Sequence, residues 1–339
     1  MKKREYYLDL ARCTAILLVI GLHVIAPHIT TPAYYGTRMW LAWVVSNEAF
    51  RAGVPLFFMI SGYLMLSAPA AGTAFDFYKK RLPRLLLPLV CWNVVYTCWN
   101  ASLEGRPPAL RELLDNLINN GSAYHMWFIY TLLGIYLLTP FLQRIVRGSS
   151  RGELLVLLAI VMFPGALRTI INTFLPVSVY LFEPLMEGYV GYFLLGYLLG
   201  TRQFSGRQRA VFYLLGVLGA AAAIGMNIRA SSPEAINMPF NQGYALSHYL
   251  CAAAVFIACR QLCLHLPQGI GKVLASASDL VFGVYWVHVL ILEELSRWLD
   301  PFGLHMAVYM GLLVLLTAAA SFAFSFAVSK VRPLRRLLM

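Results

Sequence analysis

The chain has 339 residues, of which 60% are hydrophobic and only 12% charged, and its mean hydropathy is +0.68. Soluble domains carry about 25% charged residues, so this composition excludes a disordered chain, a disulfide-stapled scaffold and an ordinary water-soluble enzyme. The net charge of +12 is spread in short basic clusters between apolar stretches, as topology determinants are. It does not form one patch, which argues against a nucleic-acid partner.

A helix needs about 20 mostly apolar residues to span a bilayer. Ten stretches qualify: 8–27, 40–66, 84–103, 124–142, 153–171, 179–200, 210–228, 245–265, 279–296 and 305–328. The fold class expected is therefore all-α, a polytopic membrane bundle of about ten transmembrane helices forming a single domain over residues 1–339. The first stretch follows a basic start and resembles a signal peptide. However, Asp9 and Arg12 interrupt it and no small-residue cleavage site follows, so it is expected to stay as helix one. The second is broken in its first half by Asn47, Glu48 and Arg51 and is expected to be a kinked or partly amphipathic helix. Pro55, Pro88 and Pro164 fall inside spans, where neighbouring helices satisfy the freed carbonyls. With alternating spans, 19 of the 27 lysines and arginines fall on one face and seven on the other, with Arg12 inside the first span. That bias predicts both termini in the cytoplasm. The six cysteines lie in or beside apolar stretches with no Cys-x-x-Cys pair, which reads as free thiols used as small hydrophobes. No metal site has credible ligand spacing.

Charges inside a bilayer cost about 2.5–3.5 kcal/mol each on insertion scales, so they mark where function is sought. Asp9 and Arg12 are three residues apart and share a helix face. His23 follows Arg12 by eleven residues, within about 20° of three full turns and about 16 Å along the axis. The acid and base can anchor a helix end while the imidazole packs, or the face can carry acid–base chemistry. Lys80, Arg81 and Arg84 precede the third stretch. They serve equally as a cytoplasmic anchor or as forks for a phosphate-bearing ligand, and Pro83 suits a first helical turn. His125 and Trp127 open the fourth stretch, as an interfacial anchor or a pocket wall. His288 lies in the ninth with Glu293 and Glu294 near its end. His28, His248, His265 and His305 receive no role.

Leu8-Asp9-Leu10-Ala11-Arg12 with His23 resembles the first helix of the acyltransferase-3 family of integral-membrane acyltransferases. Val54-Pro55-Leu56-Phe57-Phe58-Met59-Ile60-Ser61-Gly62-Tyr63-Leu64, the Arg81-Leu82-Pro83-Arg84 pair and His125-Met126-Trp127-Phe128 resemble the same family. So does Phe282-Gly283-Val284-Tyr285-Trp286-Val287-His288. Within the family the chain is most similar to the enterobacterial common antigen O-acetyltransferase group. The resemblance implies an O-acetyltransferase in the bacterial inner membrane, moving acetyl from acetyl-CoA to a hydroxyl of a cell-envelope carbohydrate, lipid-linked or polymeric.

The family's essential arginine and histidine fall on Arg12 and His23, and its donor-binding arginine pair on Arg81 and Arg84. In this reading His23 is the general base, with Arg12 and Asp9 completing the catalytic set. Lys80, Arg81 and Arg84 hold the donor's phosphates, and Asn47, Glu48, His125, Trp127 and His288 line the acceptor side. Direct transfer and an acetyl-histidine intermediate both fit. The rival reading is a transporter or flippase of a charged lipid or small solute, which also needs ionisable groups inside a helix bundle. The acceptor hydroxyl and the oligomeric state stay open at this level, a homo-oligomer included.

Overall fold

The computed structural model describes residues 4–69, 72–176, 179 and 188–339. Every regular element among them is helical. We number the α-helices in chain order: α1 Tyr6–Ile29, α2 Arg38–Phe50, α3 Gly53–Leu66, α4 Ala74–Arg81, α5 Pro83–Leu103, α6 Leu110–Ile118, α7 Trp127–Gly148 and α8 Arg151–Phe174. Then follow α9 Tyr189–Gly200, α10 Gly206–Ala230, α11 Leu246–Cys263, α12 Gln268–Ser278, α13 Val281–Leu299, α14 Met306–Lys330 and α15 Arg332–Leu338. Among the described residues, eight helical stretches are long and apolar enough to cross a membrane. The α12–α13 pair supplies a ninth broken at Asp279–Leu280, and α9 is a shorter apolar helix. Each of the ten expected stretches thus meets a helix, although 180–187 of the sixth lie outside the described residues. The protein is a multi-pass, all-helical membrane protein.

Local chemistry sets the helix ends. Thr73/Asp76, Ser150/Glu153 and Ser205/Gln208 each form a reciprocal capping box that starts α4, α8 and α10, satisfying amides that have no partner one turn back. Thr37 caps α2 by accepting from the Trp40 amide at 3.1 Å. The Trp40 indole N–H donates 2.9 Å to the Ile29 carbonyl, closing the end of α1. The second span is interrupted between α2 and α3 at Arg51–Ala52, where the backbone keeps near-helical angles and the stretch Arg38–Leu66 remains one span. This puts Pro55 in the first turn of α3, where its missing N–H costs no bond. Pro83 opens α5 in the same way.

The chain divides into two compact units, one of residues 1–68 with 144–278 and one of 69–143 with 279–339. In the first, α1 packs against α2, α3, α11 and α12, and α9 lies along α3. Some 61% of α1's most apolar stretch is buried, against 22% for α8 and 17% for α10, so α1 is a central helix of its unit and those two are peripheral. The α3–α9 crossing is at backbone distance. A Cβ on Gly62 would lie 1.8 Å from the Phe193 carbonyl oxygen, and one on Gly196 would lie 2.0 Å from that of Met59. Gly196 and Gly200 form the small-xxx-small face that such close membrane crossings use. In the second unit α13 packs on α14, and α15 lies against α5. Trp92 and Trp286 stack with their planes 1° apart, and the buried Thr317, Ser321 and Ser325 form a small-residue stripe along α14. Of the six thiols, Cys13 and Cys259 are buried as expected, whereas Cys98 is exposed.

Candidate functional site

The first unit holds two clusters of buried charge. At the start of α1, Asp9 is 1% exposed. Arg4 grips it with a two-pronged fork, Nε to Oδ2 at 2.8 Å and Nη2 to Oδ1 at 2.9 Å. Arg12 stands one turn on, its Nη1 3.4 Å from Oδ1. The expected Asp9–Arg12 pair therefore exists, but Arg4 is the closer partner. Arg4 Nη2 also donates 2.9 Å to the Ala275 carbonyl, and Arg12 Nη1 donates 3.3 Å to Ser278 Oγ. The cluster thus ties α1 to α12. Charge-assisted forks of this kind are strong and directional. Arg4 reads in sequence only as one more basic residue at the chain start.

His23 sits half-buried farther along the same unbroken helix. Helical geometry keeps it about 16 Å from Arg12 along the axis, too far for direct contact.

The second cluster joins α2 to the first turn of α11, to the segment before it and to the end of α10. Glu48 and His248, 1% and 2% exposed, lie 3.4 Å apart from Oε2 to Nε2. Neither Glu48 oxygen accepts a hydrogen bond. Asn47 Nδ2 donates to Asn241 Oδ1 at 3.0 Å, Asn227 Nδ2 donates to the same oxygen at 3.2 Å, and Arg51 Nη1 donates to the Asn241 carbonyl at 2.6 Å. His248, given no role from the sequence, is thus the nearest ionisable neighbour of Glu48. No sequence signal could find it, because 200 positions separate the two. Above this segment a polar cavity of about 430 Å³ is lined by Asn172, Thr173, Asn237 and Gln242 among others.

The second unit contains a histidine pair. His125, in the turn before α7, and His288, in α13, are both buried, and their ring centroids are 5.1 Å apart. Tyr285 lies between helix and turn, its hydroxyl donating 2.8 Å to the His125 carbonyl. His288 Nδ1 is 2.7 Å from the Tyr285 carbonyl. A carbonyl only accepts, so Nδ1 carries the proton and Nε2 presents its lone pair. Tyr96 closes the box, its ring 5.4 Å from that of His125 and its hydroxyl donating 2.8 Å to the Trp286 carbonyl. Trp127, next to His125, is half-buried.

Arg81 ends α4 and Arg84 lies in the first turn of α5, with Leu82 keeping helical backbone angles between them. They remain about one turn apart as expected. Lys80 and Arg84 are exposed and Arg81 is half-buried. Among the described residues no carboxylate pairs with any of the three. The expected site residues therefore divide. Asp9, Arg12, His23, Asn47 and Glu48 belong to the first unit, and Lys80, Arg81, Arg84, His125, Trp127 and His288 to the second.

Comparison with known proteins gives these residues a family. The chain is 29% identical over 146 residues to a serine/alanine racemase of Enterococcus gallinarum, covering 41% of this chain and 20% of that protein. It is 26% identical over 152 residues to an amino-acid racemase of Enterococcus faecalis, again 20% of that protein. It is 29% identical over 147 residues to the succinoglycan biosynthesis protein ExoH of Rhizobium meliloti, covering 38% of this chain and 39% of ExoH. The matched stretch thus spans about a fifth of each racemase and well under half of ExoH. No solved structure matches the chain. The model of one family, described as an acyltransferase domain, matches residues 5–329, nearly the whole chain and parts of both units. The chain belongs to the acyltransferase-3 family.

Proposed function

We propose that this membrane acyltransferase is an O-acetyltransferase of the bacterial inner membrane, both termini cytoplasmic, that moves acetyl from acetyl-CoA to a hydroxyl of a cell-envelope carbohydrate. The observation that carries the reading is the family match over residues 5–329 together with His23 on the stripe of α1 that begins at the Asp9–Arg12 charges. The partial likeness to a protein of succinoglycan biosynthesis favours a glycan acceptor. The likeness of the quoted motifs to the enterobacterial common antigen group narrows that acceptor class.

A sugar hydroxyl is a poor nucleophile near neutral pH. In this reading His23 takes its proton as the oxygen attacks the thioester carbonyl, and the C–S bond then breaks. The departing CoA thiolate recovers that proton from the imidazolium, so the step is neutral overall. Asp9, locked by Arg4, fixes where Arg12 stands. Arg12 in turn biases the charge along α1. Lys80, Arg81 and Arg84, without carboxylate partners among the described residues, suit the anionic donor. Asn47 and Glu48, and separately His125, Trp127 and His288, supply hydrogen-bonding and aromatic groups of the kind sugars use. The fixed tautomer of His288 favours a second assignment of the base, because its Nε2 lone pair is already oriented.

CoA release from acetyl-CoA by the detergent-purified protein, with an added glycan or lipid-linked sugar, tests the reading. His23→Ala is expected to lose about 10²–10⁴-fold in turnover with an unchanged melting temperature. The same loss in His288→Ala with full activity in His23→Ala would move the base to the histidine pair. Solute movement without thioester cleavage would establish the transporter reading instead.

A further inference from the structure

A cavity of about 260 Å³ opens in the first unit where α9 and α11 end and α10 begins. Its wall is apolar at Leu199, Phe256, Ile257 and Leu264, and it carries two guanidiniums, Arg209 and Arg260. Both are held by main chain. Arg209 Nη1 donates 3.0 Å to the Phe204 carbonyl. Arg260 Nη1 reaches the Leu199 and Gly200 carbonyls at 3.4 Å each and also the Arg202 carbonyl. The Arg260 guanidinium also lies over the Tyr7 ring, 5.7 Å from its centroid. These contacts use Nη1 of each fork and leave Nε and Nη2 unspent, and a guanidinium has five N–H donors.

The cavity lining holds no acidic group, although Glu5, which accepts 3.0 Å from the Tyr63 hydroxyl, shares the neighbourhood of the Tyr7 ring with Arg260. Among the described residues neither arginine makes an ion pair. The elements that build the cavity have no carboxylate to offer, because Glu234, in the loop that follows α10, is the sole acidic residue between 188 and 278. Arg207 and Arg209 also sit in the first turn of α10, where the helix macrodipole opposes a cation and favours an anion. Two clamped, half-buried cations over an apolar wall, Arg209 at the start of α10 and Arg260 in the last turn of α11, form an arrangement that an anionic amphiphile would stabilise.

We propose that this cavity is a binding site for a phosphate ester with an apolar or flexible tail, its phosphate held by Arg209 and Arg260. Two sources share that chemistry, the headgroup of an anionic phospholipid and a phosphate of the coenzyme. The inference does not depend on acetyl-CoA being the donor.

The test uses the full chain in phosphatidylcholine nanodiscs, with wild type beside Arg209→Gln, Arg260→Gln and the neighbouring Arg207→Gln, which lies outside the cavity lining. Phosphatidylglycerol doped into the discs is followed by native mass spectrometry of retained lipid, and acetyl-CoA by equilibrium binding. Loss of phosphatidylglycerol retention on the order of tenfold in Arg209→Gln, with Arg207→Gln like wild type, assigns the lipid headgroup. The same loss in acetyl-CoA affinity, with lipid retention kept, assigns the coenzyme. Unchanged binding of both probes in Arg209→Gln, or an equal loss in Arg207→Gln, overturns the site. Arg260 also ties three carbonyls, so its variant is read only if its melting temperature is kept. Arg209→Gln, which gives up one such tie, decides the outcome.

Discussion

Asp9 and Glu48 are buried to the same degree, each 1% exposed, yet the protein serves them differently. Asp9 is met by a forked arginine and by a second guanidinium at 3.4 Å. Glu48 has one imidazole at 3.4 Å and no hydrogen bond to either oxygen. At the surface Glu112 offers a third case. Arg106 grips it with a fork as good as Arg4's, 2.7 and 2.9 Å, but outside the spans and beside water. The difference teaches that burial alone does not make a carboxylate structural. A buried carboxylate locked by a permanent cation ties helices together. One facing a histidine keeps a partner whose charge depends on a proton.

The comparison can be broken first at Asp9. Asp9→Asn leaves Arg4 and Arg12 facing an uncharged amide, and removing one member of a buried pair is strongly destabilising. Arg4 and Arg12 are 43% and 30% exposed, so water recovers part of that cost. The expected loss is about 2 kcal/mol, read as a lowered midpoint of thermal or denaturant unfolding in detergent. Arg4→Gln is expected to cost about 1 kcal/mol, since Arg12 then inherits the carboxylate. A silent Arg4→Gln beside a costly Arg12→Gln would reverse the ranking of the two partners. Glu48→Gln removes a charge that has no strong hydrogen bond and keeps the shape, so its unfolding midpoint should stay within about 1 kcal/mol of wild type. A loss matching that of Asp9→Asn would erase the contrast between the two sites.

The smallest effect is at Glu112. Its hydrogen bonds from Arg106 hold the carboxyl below its ordinary 4.5. The folded value is the lower one, so the contribution is present above the unfolded value and is lost as pH falls through the folded one. Protection factors of the α6 amides, with the intrinsic pH dependence of exchange divided out, should therefore fall on acidification below about pH 4.5 in wild type and hardly change with pH in Glu112→Gln. Equal pH dependence in the two would show that the surface fork does not order α6.

Much of the fold was legible along the chain because hydropathy is local. Ten apolar stretches place the long helices, and Asn47, Glu48 and Arg51 mark where the second span is interrupted, whereas the three capping boxes are seen only in the structure. The site was legible in part. The i, i+3 spacing of Asp9 and Arg12 foretells their contact, and one intramembrane histidine in the ninth stretch foretells a buried imidazole. In sequence Gly62 is only one position of the family-like run over residues 54–64. In the folded chain it admits the Phe193 carbonyl, where any side chain would clash.

By itself, then, the amino-acid order determined a multi-pass helical protein, its helix breaks, and which charges enter the apolar spans. Those properties depend on each residue's own transfer energy and on neighbours within a turn or two. Only the tertiary structure decided that Arg4 and α12 hold Asp9, that His248 faces Glu48, that His125 meets His288, and that Arg209 and Arg260 share a cavity. Except for Arg4 with Asp9, these partners lie tens to hundreds of positions apart. Hydrophobicity is non-directional and does not name them. Helix packing at close range, set by glycines such as Gly62 and Gly196, selects which polar groups come within reach.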